Sequence, residues 1–139
     1  MTGPIVFEQV ATGDVLPPLA IPVTTSAIVA GALASGDFEV VHHDRAAAQQ
    51  RGTPDIFLNI LTTNGYVQRF INGWTGRGGA IRSVELRLGV PSYPGDTLNL
   101  TGTVRGKQQL GAEQIVEVAV RGAHSRGEHV AAIVRVALP

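Results

Sequence analysis

The sequence predicts an α+β fold in which an antiparallel β-sheet wraps around one long, mostly buried central helix. Apolar residues over 54–74 recur with helical periodicity and cover most of the helix circumference, which is typical of a helix enclosed by a sheet. Four later segments alternate apolar and polar residues with period two, which indicates half-buried strands: 81–90, 97–106, 114–122 and 129–138. All 139 residues are assigned to a single domain, 1–139, because no linker or internal repeat divides them.

The first third of the chain is predicted to hold an extended opening and two short helices. Three prolines between residues 17 and 22 should keep the opening segment extended and mostly irregular. Thr24 or Thr25 can cap a first short helix that ends at Gly36. A second short helix should follow Asp44 and end at Gly52.

The long helix and the turns of the sheet have their own local signals. Pro54 is expected to open the helix with Asp55 beside it, because both residue types are favourable at a helix N-terminus. Turns are expected at 94–96, around Gly106 and around Gly127, so that the four strands form an antiparallel sheet.

Composition excludes several classes of function. A content of 44% hydrophobic and 16% charged residues predicts a folded core rather than disorder. A formal net charge of zero with no basic run argues against nucleic-acid binding. The absence of cysteine rules out disulfides, zinc-thiolate sites and thiol nucleophiles. No apolar run reaches the roughly 18 residues of a membrane span, and no signal-peptide pattern is present, so a cytoplasmic protein is expected.

Titratable residues are concentrated in "ASGDFEVVHHD", residues 34–44, which holds three carboxylates and two of the four histidines. In one interpretation Asp37 caps a helix and the histidines are partly exposed loop residues. In the other, Asp37 and His42 face one another across the loop as an acid/base pair, and His43 points to solvent. Spacing alone does not choose between these interpretations.

Two further histidines and the one tryptophan carry weaker signals. His124 and His129 flank a turn and could suggest a metal pair, but no third ligand is evident. They are therefore expected to be exposed hairpin histidines, and no metal site is predicted. Trp74, which follows the long helix, is expected to be an interface or core anchor.

Three segments follow one another along the chain: "FEQVATGDVLPPL", "ASGDFEVVHHD" and "VPSYPGDTLNLTGTV". Their order and spacing resemble those of MaoC-like hotdog proteins, the superfamily of (R)-specific enoyl-CoA hydratases and 3-hydroxyacyl dehydratases. The Asp-x₄-His element followed by a second Asp is the most specific part. Residues 41–70 and 86–97 look most similar to the small catalytic subunits of actinobacterial steroid side-chain enoyl-CoA hydratases. The resemblance implies a hotdog fold.

The resemblance also implies roles for individual residues. Asp37 and His42 match the catalytic pair, which would hold a water for attack at C3 of a trans-2-enoyl thioester and deliver a proton to C2. A backbone N–H at the start of the long helix, by register near Ile56, would donate a hydrogen bond to the thioester carbonyl and stabilise the negative charge that develops there. Asn64 and Gly65 fall where relatives carry a Ser-Gly pair near the active site. Asn64 could bond Asp37 or the substrate, or its amide could be satisfied within its own helix.

Two neighbouring residues of the motif have non-catalytic expectations. His43 stands where the family pattern has no catalytic residue, and it is expected at the surface. Asp44 matches the second acidic residue, which is expected to cap the helix that it precedes.

The function that the resemblance implies is hydration of a trans-2-enoyl-CoA thioester, with a bulky steroid side-chain CoA ester as the expected substrate. A 3-hydroxyacyl thioester dehydratase of a synthetic pathway, or a non-catalytic hotdog subunit that shapes a partner's acyl pocket, are the alternatives. No cofactor is expected, because CoA belongs to the substrate. A homodimer or a heteromer with a second MaoC-like chain is expected, because an open strand edge favours pairing.

Overall fold

A five-stranded antiparallel sheet and three α-helices form the structure, which is a computed structural model that describes residues 3–139. The helices are α1 (Thr25–Ala34), α2 (Arg45–Gln50) and α3 (Ile60–Thr75). The strands are β1 (Leu19–Pro22), β2 (Ala80–Leu88), β3 (Thr97–Leu110), β4 (Glu113–His124) and β5 (Gly127–Leu138). Their order in the sheet is β1-β3-β4-β5-β2, so β1 and β2 form its two edges.

The core lies between α3 and one face of the sheet, as the alternating patterns predict. Alternate residues are buried along β3 as far as Val104 and along most of β4 and β5, for example Leu98, Leu100 and Val104 in β3. Gly102 leaves room for the helix, since a Cβ there would lie 2.8 Å from the ring of Phe70. The predicted α+β architecture is therefore confirmed.

Two features of the sheet differ from the prediction. The turn expected around Gly106 is wrong, because β3 continues through that residue and turns only at Gly111, where φ is +59°. The pairing register with β4 shifts between Val104 and Gly106, so this glycine marks a bulge, a common use of glycine inside a strand. The short edge strand β1 was not predicted; Pro22 lacks an N–H donor, which an edge position tolerates.

The predicted start of the long helix at Pro54 is also wrong. Helix α3 begins at Ile60, and the N-cap is Asn59, whose side chain accepts the N–H of Thr62 at 3.1 Å. Residues 54–59 approach the helix without helical structure, and Leu58 donates its N–H to Ser92 O at 3.1 Å. Proline and aspartate are favourable near a helix start, but an asparagine cap is equally favourable, and tertiary contacts decide between them.

The two short helices are confirmed. Thr24 caps α1 by accepting the N–H of Ala27 at 3.0 Å, and Asp44 caps α2 by accepting the N–H of Ala47 at 3.1 Å. No helix within residues 3–139 combines the length and the apolar character that crossing a bilayer requires.

Helix α3 is less completely enclosed than the sequence predicts. Its sheet-facing side is buried, including Val67 and Ile71, and Trp74 packs at the edge of the core. In the first turn, however, Ile60 is 49% exposed and Leu61 is 50% exposed. One end of the central helix therefore presents apolar side chains to the surface.

Candidate active site

Asp37 is held immediately after the end of α1. Gly36 adopts the left-handed region with φ +72°, which reverses the chain at the end of the helix. The N–H of Asp37 then donates to Ala32 O at 2.9 Å and ties the residue back to the helix. Side chain Oδ1 accepts the N–H of Glu39 at 3.2 Å. These bonds hold the carboxylate in a fixed place, where its side chain is 24% exposed.

His42 is buried and its ring is oriented by the segment that precedes α3. Nδ1 lies 2.6 Å from the carbonyl oxygen of Phe57. Because a carbonyl can only accept, Nδ1 carries the hydrogen and Nε2 of the neutral ring carries the lone pair. Nε2 lies 3.4 Å from Asp37 Oδ2. The predicted proximity of Asp37 and His42 is confirmed.

Asn59 connects this pair to α3, and the sequence analysis did not identify it. Its Nδ2 donates to Asp37 Oδ2 at 3.1 Å and to Ser35 Oγ at 2.8 Å, while Oδ1 caps the helix. The residue is buried, and its one amide joins the end of α1, Asp37 in the loop between α1 and α2, and the start of α3. The available signal was asparagine's preference for N-cap positions, which was hidden because the helix was predicted to start earlier.

The surroundings of Asp37 favour its charged form. The N–H of Glu39, followed by the amide of Asn59 and the positive charge that His42 can carry, lowers the pKa of the Asp37 carboxyl, against the opposing effect of partial burial. The group is therefore a carboxylate at neutral pH. A carboxylate and an imidazole lone pair at 3.4 Å can both accept from the same water molecule.

His43 and Asp44, which follow His42 in the loop between α1 and α2, lie where they were expected. His43 is exposed at the end of a short 3₁₀ turn, Val40–His42. Asp44 caps α2. Both expectations are confirmed.

Ile56 does not lie at the start of α3, so that expectation is wrong. Its N–H donates to Asp55 Oδ1 at 2.7 Å, four residues before the helix begins. The backbone N–H groups that do start the helix belong to Asn59, Ile60 and Leu61, and they donate to no acceptor within residues 3–139.

Asn64 and Gly65 lie one turn further along α3. Asn64 Oδ1 accepts from Gln68 Nε2 at 3.1 Å, and the amide that donates to Asp37 is that of Asn59. Gly65 is exposed on the side of α3 that faces α1.

The expectation that His124 and His129 are exposed is wrong, because both are buried beneath the loop that joins β2 to β3. His129 Nδ1 lies 2.7 Å from Val90 O, and His124 Nε2 lies 3.0 Å from Pro91 O. His129 Nε2 is 2.8 Å from the hydroxyl of Thr63 on α3. Residues 3–139 contain no group of three or more His, Asp or Glu side chains that could share a metal ion.

The chain is similar to known proteins over most of its length. Residues 6–126 match the MaoC like domain. The chain is 42% identical over 126 residues to the 3-oxo-4,17-pregnadiene-20-carboxyl-CoA hydratase beta subunit of Mycobacterium tuberculosis, covering 91% of this chain and 95% of the relative. A chain in the crystal structure of the ChsH1–ChsH2 complex from Mycobacterium tuberculosis matches with a TM-score of 0.87 and 42% identity, covering 93% of this chain and 98% of that one.

A more distant structure supports the fold alone. The (R)-hydratase PhaJ1 from Pseudomonas aeruginosa matches with a TM-score of 0.87 at 20% identity, covering 98% of this chain and 86% of that one. The architecture is thus the hotdog fold, with α3 as its central helix.

Proposed function

The chain belongs to the MaoC-like domain family, and we propose that it is an enoyl-CoA hydratase that adds water across a trans-2-enoyl-CoA thioester. The observation that carries this proposal is the Asp37–His42 pair, with 3.4 Å between Oδ2 and Nε2. The relative that is 42% identical is named as a hydratase of a steroid side-chain CoA ester. A bulky thioester of that kind is therefore the proposed substrate.

The proposed reaction uses the two acceptors of the pair on one water molecule. The lone pair of His42 Nε2 and the carboxylate of Asp37 each accept one O–H of the water, which directs its oxygen lone pair at C3. As the C–O bond forms, one proton of the water passes to the pair, and the same pair delivers a proton to C2. The product is the 3-hydroxyacyl thioester. Acid/base assistance of this kind contributes on the order of 10²–10⁴ in rate.

The thioester carbonyl gains negative charge during the attack and needs a hydrogen-bond donor. We assign this role to the N–H groups at the true start of α3, Asn59, Ile60 or Leu61, in place of Ile56. They have no acceptor among the described residues, and the helix dipole adds positive potential there. Removal of such a donor typically costs about 2.7–4 kcal/mol in the transition state.

We also propose that the chain works with a second MaoC-like chain. The related hydratase is a beta subunit, and the related crystal structure is a two-component complex. Strand β2 pairs only with β5 among the described residues, so its outer edge is open to another strand. The proposed chemistry needs no metal or redox cofactor, because water and the acid/base pair supply every proton and CoA belongs to the substrate. The proposed compartment is the cytoplasm.

Hydration of a panel of trans-2-enoyl-CoAs tests the proposal. The panel runs from short linear chains to a steroid side-chain thioester, and the loss of enone absorbance is followed with and without a co-expressed MaoC-like partner. His42→Ala and Asp37→Asn should each lower kcat by on the order of 10²–10⁴. His43→Ala is the matched control, because the neighbouring histidine is exposed, and it should keep the wild-type rate. Full activity in both pair variants would exclude the assignment.

A further inference from the structure

The ring of His42 is oriented by a segment that has no regular secondary structure. Nδ1 of the ring lies 2.6 Å from Phe57 O, and this carbonyl leaves the lone pair on Nε2, the nitrogen nearest Asp37. Phe57 belongs to residues 54–59, which form neither helix nor strand. Regular backbone hydrogen bonding therefore does not fix the direction of this carbonyl, and other contacts must hold it in place.

Backbone hydrogen bonds hold only the later part of this segment. Phe57 donates its N–H to Val41 O at 3.2 Å, and Leu58 donates to Ser92 O at 3.1 Å. Residues 54–56 make no backbone-to-backbone hydrogen bond with the described part of the chain. Side chains must therefore hold the residues immediately before Phe57.

The carboxylate of Asp55 provides that contact. Its Oδ1 accepts from the N–H of Ile56 at 2.7 Å and from Arg45 Nε at 3.1 Å. The Asp55 side chain is only 21% exposed, and Ile56 is buried, so the junction lies mostly beneath the surface. Hydrogen bonds from a charged donor are stronger than those from a neutral one. One oxygen therefore ties the residue before Phe57 to α2.

Arg45 belongs to the same stretch of chain as His42. It is the first residue of α2 and stands three positions after His42. Asp55 stands two positions before Phe57. The ion pair therefore bridges the same two segments as the bond between His42 and Phe57 O, and it lies close to that bond along both of them.

The exposure of the ion pair separates a positioning role from a general stabilising one. The Arg45 side chain is 65% exposed, and ion pairs that are open to water contribute little to folding stability. Catalysis is more sensitive, because displacement of a reacting group by about 1 Å can lower a rate by about 10². Removal of the pair should therefore lower activity far more than stability.

From these contacts we infer that Arg45 and Asp55 are positioning residues for the proposed acid/base histidine. They hold Phe57 O against the ring of His42, which keeps the Nε2 lone pair directed at the attacking water. The inference rests on the proposed hydratase function, and both residues act through His42 rather than on the substrate. A direct contact between the Arg45 guanidinium and an anionic group of the substrate is the competing role.

Substitutions at the two ends of α2 test the inference. Asp55→Asn keeps an oxygen for the N–H of Ile56 but removes the negative charge. Arg45→Gln removes the positive charge, and Arg45→Lys retains it. Arg51→Gln is the matched control, because Arg51 Nη1 forms an exposed ion pair with Glu39 Oε2 at 3.0 Å at the other end of the helix. The values of kcat and KM for a trans-2-enoyl-CoA are measured on the complete assembly.

The expected loss is in kcat. Asp55→Asn and Arg45→Gln should each lower kcat by on the order of 10–10² and leave KM unchanged. The double variant should lose no more than the more damaged single variant, because both changes break the same contact. Arg45→Lys should recover part of the loss, and Arg51→Gln should keep the wild-type kcat. The midpoint of thermal unfolding should stay close to that of the wild type in every variant.

The ring nitrogen chemical shifts of His42 give a second readout that does not depend on turnover. They are measured by NMR on the assembly with isotope-labelled histidine in this chain, above the ordinary histidine pKa of about 6.5. The wild type should carry the hydrogen on Nδ1, and Asp55→Asn should show a mixture of the two neutral forms. His129, whose Nδ1 lies 2.7 Å from Val90 O, is the internal reference and should be unchanged.

The two readouts separate failure of this inference from failure of the proposed function. A wild-type ring tautomer in Asp55→Asn, or an equal loss of kcat in Arg51→Gln, would overturn the inference and leave the hydratase proposal intact. A rise in KM alone for Arg45→Gln would overturn it in favour of a substrate contact. Absence of turnover in the wild type would remove the proposed function, and the ring nitrogen shifts would still decide whether the ion pair orients His42.

Discussion

His42 and His129 are anchored in the same way but face different surroundings. Each ring has Nδ1 at hydrogen-bond distance from a backbone carbonyl of an irregular segment, Phe57 O at 2.6 Å and Val90 O at 2.7 Å. Each carbonyl must accept, so both neutral rings have their lone pair on Nε2. The backbone therefore gives the two histidines the same tautomer.

The two histidines differ in the group that lies closest to Nε2 of the ring. For His42 it is a partly exposed carboxylate, Asp37, at 3.4 Å. For His129 it is the hydroxyl of Thr63 at 2.8 Å, and both residues are buried. Burial is the main cause that lowers the pKa of His129 below its usual value, which favours the neutral ring. Access to water and to a carboxylate, rather than ring orientation, is what separates a catalytic candidate from a structural histidine.

The buried histidine nevertheless supports the site indirectly. It connects β5 and the β2–β3 loop to Thr63, whose N–H donates to Asn59 O at 3.2 Å. Asn59 in turn holds Asp37. His129 thus secures the helix start on which the position of Asp37, the neighbour of the proposed acid/base histidine His42, depends.

The largest effect is expected from replacing the amide donor that Asn59 presents to Asp37, the carboxylate beside His42. Asn59→Asp keeps an acceptor for the cap of α3 but replaces the amide donor beside Asp37 with a second carboxylate. Like charges at this distance raise the pKa of Asp37. The hydration rate at neutral pH should fall by on the order of 10², and the acidic limb of the pH dependence of kcat/KM should move to higher pH. An acidic limb at its wild-type position would contradict the role given to this amide.

A smaller effect, on stability, is expected from a substitution beside the buried His129. Thr63→Val removes the hydroxyl that donates to His129 Nε2 and leaves a buried acceptor without a partner. The free energy of unfolding, measured by urea denaturation, should fall by about 1–3 kcal/mol. Thr63→Ser retains the hydroxyl and should lose less. Equal losses for the two variants would show that the methyl group, and not the hydrogen bond, matters at this position.

The smallest effect is a pH dependence of stability. The pKa of His129 is lowered in the folded protein, so the unfolded chain binds more protons once the pH falls below the ordinary histidine value of about 6.5. Stability is therefore unaffected by this group above that pH and decreases below it, by at most about 1.4 kcal/mol per pH unit. Thermal melts between pH 7.5 and about pH 5 should show a flatter decline for His129→Gln than for wild type. His43→Gln, which changes an exposed histidine, should keep the wild-type slope.

The regularities of the fold that depend on near neighbours were readable in the sequence. Period-two alternation indicated β2 to β5, because successive side chains of a strand point to opposite faces. Thr24 and Asp44 indicated the starts of α1 and α2, because an N-cap bonds to a backbone N–H only a few residues away. Resemblance to a family motif identified Asp37 and His42 as a pair, which spacing alone left undecided.

Tertiary structure decided the features that depend on residues far apart in the chain. Proline and asparagine are both favourable residue types near a helix start. That α3 starts after Asn59 and not at Pro54 follows from the packing of residues 56–58 and from the bond between Asn59 and Asp37, 22 positions apart. His129 is buried because the β2–β3 loop, through Val90, and α3, through Thr63, close over it. The close approach of α1 and α3 likewise needs glycine at position 31, where a Cβ would overlap the side chain of Thr62. Local patterns specify elements, whereas burial and access arise only when the elements pack.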